Sequence, residues 1–348
     1  MINLQKLILK GLVVTASLVT TSSATLAATF SGDLFYTRYL TDPTNPTSVK
    51  KAVYNYDDIA HTLTLGNRIS IANGGAGDGM VFAPDGDLIV GVGQQVQKVN
   101  PDNGAILSSS AVGTNALHLA LDPSGQKVWG GTEGPVGTNT PLAEIPLTPF
   151  SNAIPRPLTG DDKFITAIAF DNAGTAYYTA GGDDVNGSFG IIDLNTFTTK
   201  RLLGNIPSAH GMIFDPFTED LIMFRHNHIT QVDPKTGAIS DYALPTSVFL
   251  DGGTADGNGH LFVADAANGN LVFMDYAASG QVGAAGNFVA TPFLDTHIDD
   301  IAPLSGPGSK RVPEPSSTLG LLVLSAFGFR SMWKRHRAQK VLHSVVSN

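Results

Sequence analysis

The chain of 348 residues contains no cysteine. No disulfide framework and no thiol nucleophile is therefore available to it. Glutamate is almost as scarce. Between residues 28 and 309 only Glu133, Glu144 and Glu219 occur, which argues against a hydrolase built on paired glutamates. Helical periodicity is nearly absent over the same span. There is no G-x-S-x-G elbow, no Walker A loop, no G-x-G-x-x-G after a strand and no H-E-x-x-H. The strings GGAGDG and GGDDVNG read as turn glycines, and the second lacks the Asp spacing and closing Glu of a calcium loop. Basic residues are few as well: 12 Lys and Arg face 29 Asp and Glu in residues 28–309, so this body carries about −17 where the whole chain carries −9. Such a field opposes nucleic acid and anionic lipid as partners and tolerates cations and neutral glycans. Many of these aspartates fall at turns, where Asp is favoured for backbone reasons.

What is present begins at the ends. Lys6 and Lys10 precede an apolar run from Gly11 to Val19, and the small-residue stretch SSATLAA follows. This is the order of a secretory signal peptide, expected over 1–27 with cleavage after Ala27, because the apolar run is far shorter than a spanning helix requires. Near the other end a linker (310–317) leads into a hydrophobic helix and basic cluster (318–337), followed by a short tail (338–348). The run from Ser316 to Trp333 is barely long enough to span a bilayer. It does so with Arg330 snorkelling to the headgroups and Trp333 at the interface, and the positive-inside rule leaves Lys334, Arg335 and Arg337 in the cytoplasm.

Pro313-Glu314-Pro315, a Ser/Thr step, the short hydrophobic helix and the Arg/Lys cluster together resemble the PEP-CTERM sorting signal of Gram-negative bacteria and cyanobacteria. The resemblance covers about the last tenth of the chain. It implies export across the inner membrane and processing by an exosortase. Release or attachment at the cell surface would follow, alongside exopolysaccharide or surface protein. A plain C-terminal anchor is the alternative.

The body, 28–309, hides a repeat. The stretches GMVFAPDGDLIVGVG, LHLALDPSGQKVWGG, TAIAFDNAGTAYYTA, HGMIFDPFTEDLIMF and GGTADGNGHLFVADA each read as strand, tight turn, strand. Aligned on Pro84, Pro123, Asn172, Pro216 and Gly257 they lie 39, 49, 44 and 41 residues apart, the spacing of propeller blades. A second mark follows in four units at Val99, Ile192, Val232 and Met274: a strand ends in Asn or Asp, and a turn leads to the outermost strand. Radial closure is one of the few ways for so many short strands to avoid exposed edges, so a propeller is expected over a sandwich.

The last inner-strand match, HIDDIAP, has no second strand after it, whereas SGDLFYTRYL and VKKAVYNYDDIAHTL near the N-terminus supply strands with no inner partner. Five complete units and one split unit predict an all-β, six-bladed propeller closed by pairing the two ends. The unit from Gly259 to Gly280, with Val263-Ala264-Asp265, Asn268-Gly269 and Phe273-x-Asp275 in order, is similar to the NHL repeat. The wider resemblance is to NHL, streptogramin-lyase-like and gluconolactonase-like propellers.

Innermost strands line the axis, so a fixed offset before each anchor points to one funnel. Six residues ahead stand Asp78, Leu117, Thr166, His210, Asp251 and His297, with His118 one step from Leu117. The expected metal ligands are Asp78, His118, His210, Asp251 and His297, imidazole and carboxylate being a borderline set for a divalent ion. The gluconolactonase-like resemblance implies a metal at this place, although that group uses carboxylates and amides. His226 and His228 fall at a hairpin turn and are expected to be solvated. Asp299 and Asp300 alternate along a strand, so at most one is expected to face the channel. Two functions follow as expectations. One is a surface or periplasmic module binding a glycan, protein or small ligand through the funnel. The alternative is a metal-dependent lyase or lactonase with His210 or His297 as general base.

Overall fold

A computed structural model describes residues 29–39, 49–72, 77–133, 139–181, 187–206, 209–245 and 247–302. The expected signal peptide, the Pro313–Pro315 motif, Arg330, Lys334, Arg335 and Arg337 lie outside them, as does the hydrophobic run. Among the described residues there is no helix, and so none long and apolar enough to cross a membrane.

The chain opens with β1 (Thr29–Arg38), β2 (Val49–Asp57) and β3 (Thr62–Ala72). The second sheet holds β4 (Gly77–Phe82), β5 (Leu88–Val92), β6 (Gln95–Val99) and β7 (Ile106–Ala111). The third holds β8 (Ala116–Leu121), β9 (Lys127–Thr132), β10 (Leu142–Pro146) and β11 (Ile154–Arg156). In the fourth, β12 (Thr159–Gly160) joins β13 (Ile165–Phe170), β14 (Ala176–Ala180), β15 (Gly187–Asp193) and β16 (Thr198–Ile206). The fifth contains β17 (Gly211–Asp215), β18 (Asp220–Arg225), β19 (His228–Val232) and β20 (Ile239–Ala243), and the sixth β21 (Leu250–Ala255), β22 (His260–Asp265), β23 (Asn270–Asp275) and β24 (Phe288–Ala290). The last strand, β25 (Ile298–Ile301), returns to β1, so the first sheet runs β25-β1-β2-β3. This is the six-bladed propeller read from the sequence, split where expected.

Turn chemistry sets the repeat. Asp122 Oδ1 accepts the amides of Gln126 and Lys127, Asp171 Oδ1 those of Ala173 and Thr175, and Asp256 Oδ1 those of Asn258 and His260. The second mark works in the same way, with Asn100, Asp193, Asp233 and Asp275 each accepting the amide two residues on. Asp57 does this in the split blade. These aspartates are acceptors built into Asx turns, which explains much of the acidic surplus.

Middle strands such as β5 and β22 are buried throughout, because each is covered by a neighbouring blade on both faces. The apolar core is accordingly divided into six clusters. Each fills one seam between adjacent blades. The closing seam is as well packed as the rest: Leu34, Tyr36 and Tyr56 meet Phe262, Phe273 and Ile301 in one cluster. In register, Tyr36 faces Ile301 and Arg38 faces Ile298, and the Ala302 amide donates to the Phe35 carbonyl at 2.9 Å. Polar ties reinforce it. Lys50 pairs with Asp295 at 2.6 Å, and the fully buried Arg38 donates from Nε to the Thr296 carbonyl at 2.9 Å.

One element was not expected. β12 lies parallel to β16 on the outer edge of the fourth blade, with Thr159 opposite Thr198. It sits within the 49-residue interval, the longest in the series, where the connection first builds an extra strand.

Candidate functional site

The inner strands do not run regularly into the funnel. Register shifts occur between Gly77 and Met80, Leu117 and Ala120, Ile165 and Ala167, and Leu250 and Gly253, and again opposite Tyr36 and Arg38. Each is a β-bulge, which sets extra residues against one partner and re-aims a side chain. The bulged residues are Asp78, His118, Thr166, Asp251 and the pair Asp299 and Asp300. Gly79 follows Asp78 at φ 75, and His118 itself adopts φ 37.

These devices gather four carboxyl groups and two imidazoles. His118, buried, places Nδ1 3.1 Å from Oδ2 of Asp300 and Nε2 3.3 Å from Oδ1 of Asp251. On the far side of Asp251, Nδ1 of His210 lies 3.6 Å from the same Oδ1. Asp78 accepts from Asn115 Nδ2 at 2.6 Å. Asp299 is 5 % exposed, and its Oδ2 has no hydrogen-bond partner. Thr166 points to the funnel too, but its hydroxyl is spent on the Ala209 carbonyl at 2.8 Å, tying blade four to blade five.

So much charge in little water perturbs every protonation. Burial pushes the Asp78 carboxyl up to about 7, and the charges of Asp251 and Asp300 add to this against the opposing pull of His118. Burial drives Asp299 well above the usual carboxylate range, and Asp251, Asp78 and Asp300 reinforce it. For His118, burial opposes the charge, but the Asp300 and Asp251 carboxylates outweigh it and hold the imidazole well above its ordinary value. Asp251 goes the other way: burial would raise it, and the hydrogen bond and charge of His118 bring it below its ordinary value.

Of the expected ligands, Asp78, His118, His210 and Asp251 come together. His297 does not. It sits exposed at φ 57 just before β25, with its ring 5.5 Å from that of Tyr39. Of Asp299 and Asp300, only Asp299 is among the residues that line the cavity, in keeping with at most one facing the channel. Both lie at the bulge opposite Thr37, and Asp300 contacts His118. The mark that could have revealed the bulges is the Asp-Gly step at Asp78-Gly79 and Asp251-Gly252. HIDDIAP has no such mark. His226 packs its ring 4.5 Å from Phe249 at the funnel rim, and His228 lies 3.5 Å from Asp241, so the two do not act as one ligand pair.

Over this floor opens a cavity of about 660 Å³. Its walls carry Tyr39, Leu117, Phe164, Phe249, Ala266 and Ala267, and Glu133 stands at the mouth. No Lys or Arg lines it among the described residues. A divalent ion has two possible seats. Ligand atoms of His118, His210 and Asp251 lie within 4.8 Å of one another, and so do those of Asp78, His118 and Asp300. The mixed imidazole and carboxylate donors, with the unpaired Asp299 oxygen beside them, fit a borderline cation.

No protein-family model matches the chain, and no curated protein matches it. Solved structures do. A chain of a nidogen/laminin complex superposes with TM-score 0.55 at 14 % identity, over 78 % of this chain and 98 % of that one. Hydrazine synthase from Kuenenia stuttgartiensis gives 0.52 at 13 %, over 78 % and 90 %. A streptogramin B lyase gives 0.47 at 17 %, over 66 % and 72 %. At such identities the likeness is one of fold.

Proposed function

We propose that this chain is an exported propeller, delivered to the cell surface by its C-terminal signal, that binds a small polar ligand or glycan through the funnel. The observation that carries the reading is the 660 Å³ cavity, ring-walled above and acidic below, into which six bulged or strand-end side chains converge. Cavities of this size, mostly apolar with a few convergent polar groups, suit small-molecule recognition.

The site offers its own test variant. A Cβ at Gly252 would coincide with the carboxylate of Asp300. Gly252→Ala must therefore displace Asp300 from His118, at a cost of about 1–3 kcal/mol in stability. Sugars, lactones and divalent ions are to be screened by thermal shift on the full chain. A funnel ligand at a hundred times its Kd should stabilise the wild type by about 2.7 kcal/mol and leave Gly252→Ala unmoved. If no compound shifts the wild type, or if the variant responds equally, the funnel is not the binding site.

A second reading, a metal-dependent lyase or lactonase, draws on the two three-residue seats. A bound ion would supply Lewis acidity toward a carbonyl oxygen. His210, half-buried and oriented by Asp251, would move the proton. Stoichiometric metal retained by the wild type and lost in His118→Ala, the imidazole common to both seats, favours this reading, and its absence after supplementation removes it.

Sorting has a separate test. Replacing Pro313, Glu314 and Pro315 by alanine should leave the unprocessed precursor in the membrane fraction of a native-type host. Maturation at the wild-type rate would rule out the sorting role.

A further inference from the structure

The cavity has two chemically distinct poles. On the floor, Asp78, Asp251 and Asp299 present carboxyl groups beside the imidazoles of His118 and His210, Glu133 adds a carboxyl at the mouth, and no Lys or Arg lines the space among the described residues. The Oδ2 of Asp299 is buried without a hydrogen-bond partner. An unsatisfied buried oxygen costs about 1–3 kcal/mol, which a ligand's hydrogen-bond donor would recover by drawing the Asp299 carboxyl toward the cavity. The other pole is apolar. Phe164, Phe249 and Tyr39 are half-buried, with part of their surface open to the cavity beside Leu117, Ala266 and Ala267.

Three ligand chemistries can be weighed against these poles. A bare metal ion uses the floor and leaves the ring wall idle. A neutral sugar can lie on the rings but brings no charge to the carboxyl groups, and an anion meets four carboxyl groups gathered around the single His118 imidazole. An ammonium on an apolar ring uses both poles, because it carries up to three donors and is attracted by carboxylates and by aromatic faces. Resting on the funnel-binding reading, we infer that the funnel is an amine site: it takes a primary or secondary organic amine with a ring-sized apolar body, its ammonium on Asp251 and Asp299 and its ring against Phe164 and Phe249.

The test is calorimetric titration of the full chain, in the presence of a chelator, with 2-phenylethylamine, its neutral isostere 2-phenylethanol, and phenylacetate. The amine should bind at least about tenfold more tightly than the alcohol, and phenylacetate should not bind. Asp299→Asn keeps the shape of the side chain while replacing one acceptor oxygen by an N–H donor, and it should fold. It should bring the amine down to the level of the alcohol and leave the alcohol unchanged, whereas Phe249→Ala should weaken both. Equal affinity for amine and alcohol overturns the inference while leaving the funnel as a binding site. So does an amine affinity unchanged by Asp299→Asn, or amine binding that appears only after a divalent ion is added. If neither compound binds, and no sugar, lactone or ion of the wider screen binds, the inference and the funnel reading fall together. Should Asp299→Asn fail to fold, the comparison of amine and alcohol on the wild type decides alone.

Discussion

Ile301→Asp should destabilise the chain by roughly 3–5 kcal/mol, the cost of an uncompensated buried charge, and should open the ring. Ile301 is 2 % exposed, pairs with Tyr36 and belongs to the cluster that joins blades six and one. The side chain enters a seam filled by Leu34, Phe262 and Phe273, where a carboxylate finds no partner. The neighbouring tie between the Ala302 amide and the Phe35 carbonyl holds only while β25 stays in register. The same change at Ile239, 53 % exposed on the outer strand β20, should stay within about 0.5 kcal/mol. Urea unfolding of both variants checks the contrast, and limited proteolysis between residues 290 and 302 reports the opening. Equal midpoints would mean that the ring is held without its closing strand.

The blade count could be read from the sequence because it rests on local chemistry. Asp122, Asp171 and Asp256 each bond the amides of their own tight turn, so the turn leaves a mark within a few residues of itself. The split blade was legible for a related reason: Ile298–Ile301 is an inner strand with nothing to pair with downstream, and Thr29–Arg38 is a second strand with nothing upstream. Long-range pairing leaves no such mark. The two-residue strand Thr159–Gly160 is defined only by Thr198 and Thr199, some forty residues later.

The site was half legible for the same physical reason. A fixed offset finds Asp78, His210 and Asp251 because all three stand at or just before the start of an inner strand. It misplaces His297 and misses Asp299 and Asp300, since the bulge that turns them inward is set by Thr37 on β1. The hydroxyl of Thr37 accepts the Asp300 amide at 2.9 Å. That partner stands 263 residues away, and no local pattern in HIDDIAP could announce it. His118 was found only as a register slip, which the structure resolves as a bulge with Leu117 and His118 both at the cavity.

The funnel should also make the metal-free chain lose stability as pH rises from 6 to 8. His118 has a folded value raised above its ordinary one. Its contribution is complete below about 6.5 and is lost as pH climbs through the folded value. Asp78, pushed up to about 7, and Asp299, higher than usual, keep protons that the unfolded chain surrenders above about 4, so they too subtract stability with rising pH. Asp251 is depressed, and its contribution is lost only as pH falls below about 4, outside this window. In all, the folded chain binds more protons than the unfolded one between pH 6 and 8, and one such proton changes stability by about 1.4 kcal/mol per pH unit. A fall of at least about 1 kcal/mol is therefore expected. His118→Leu removes the one cation set between Asp251 and Asp300 and should cost about 3–5 kcal/mol at pH 7. The cost should shrink toward pH 4.5, where the stranded Asp251, left with burial pushing its carboxyl up, takes up a proton instead. Urea midpoints at pH 4.5, 6, 7 and 8 measure both effects. A wild-type curve that is flat or rising from pH 6 to 8, with a His118→Leu penalty independent of pH, would mean that His118 is not the counter-ion that holds the four carboxyl groups together.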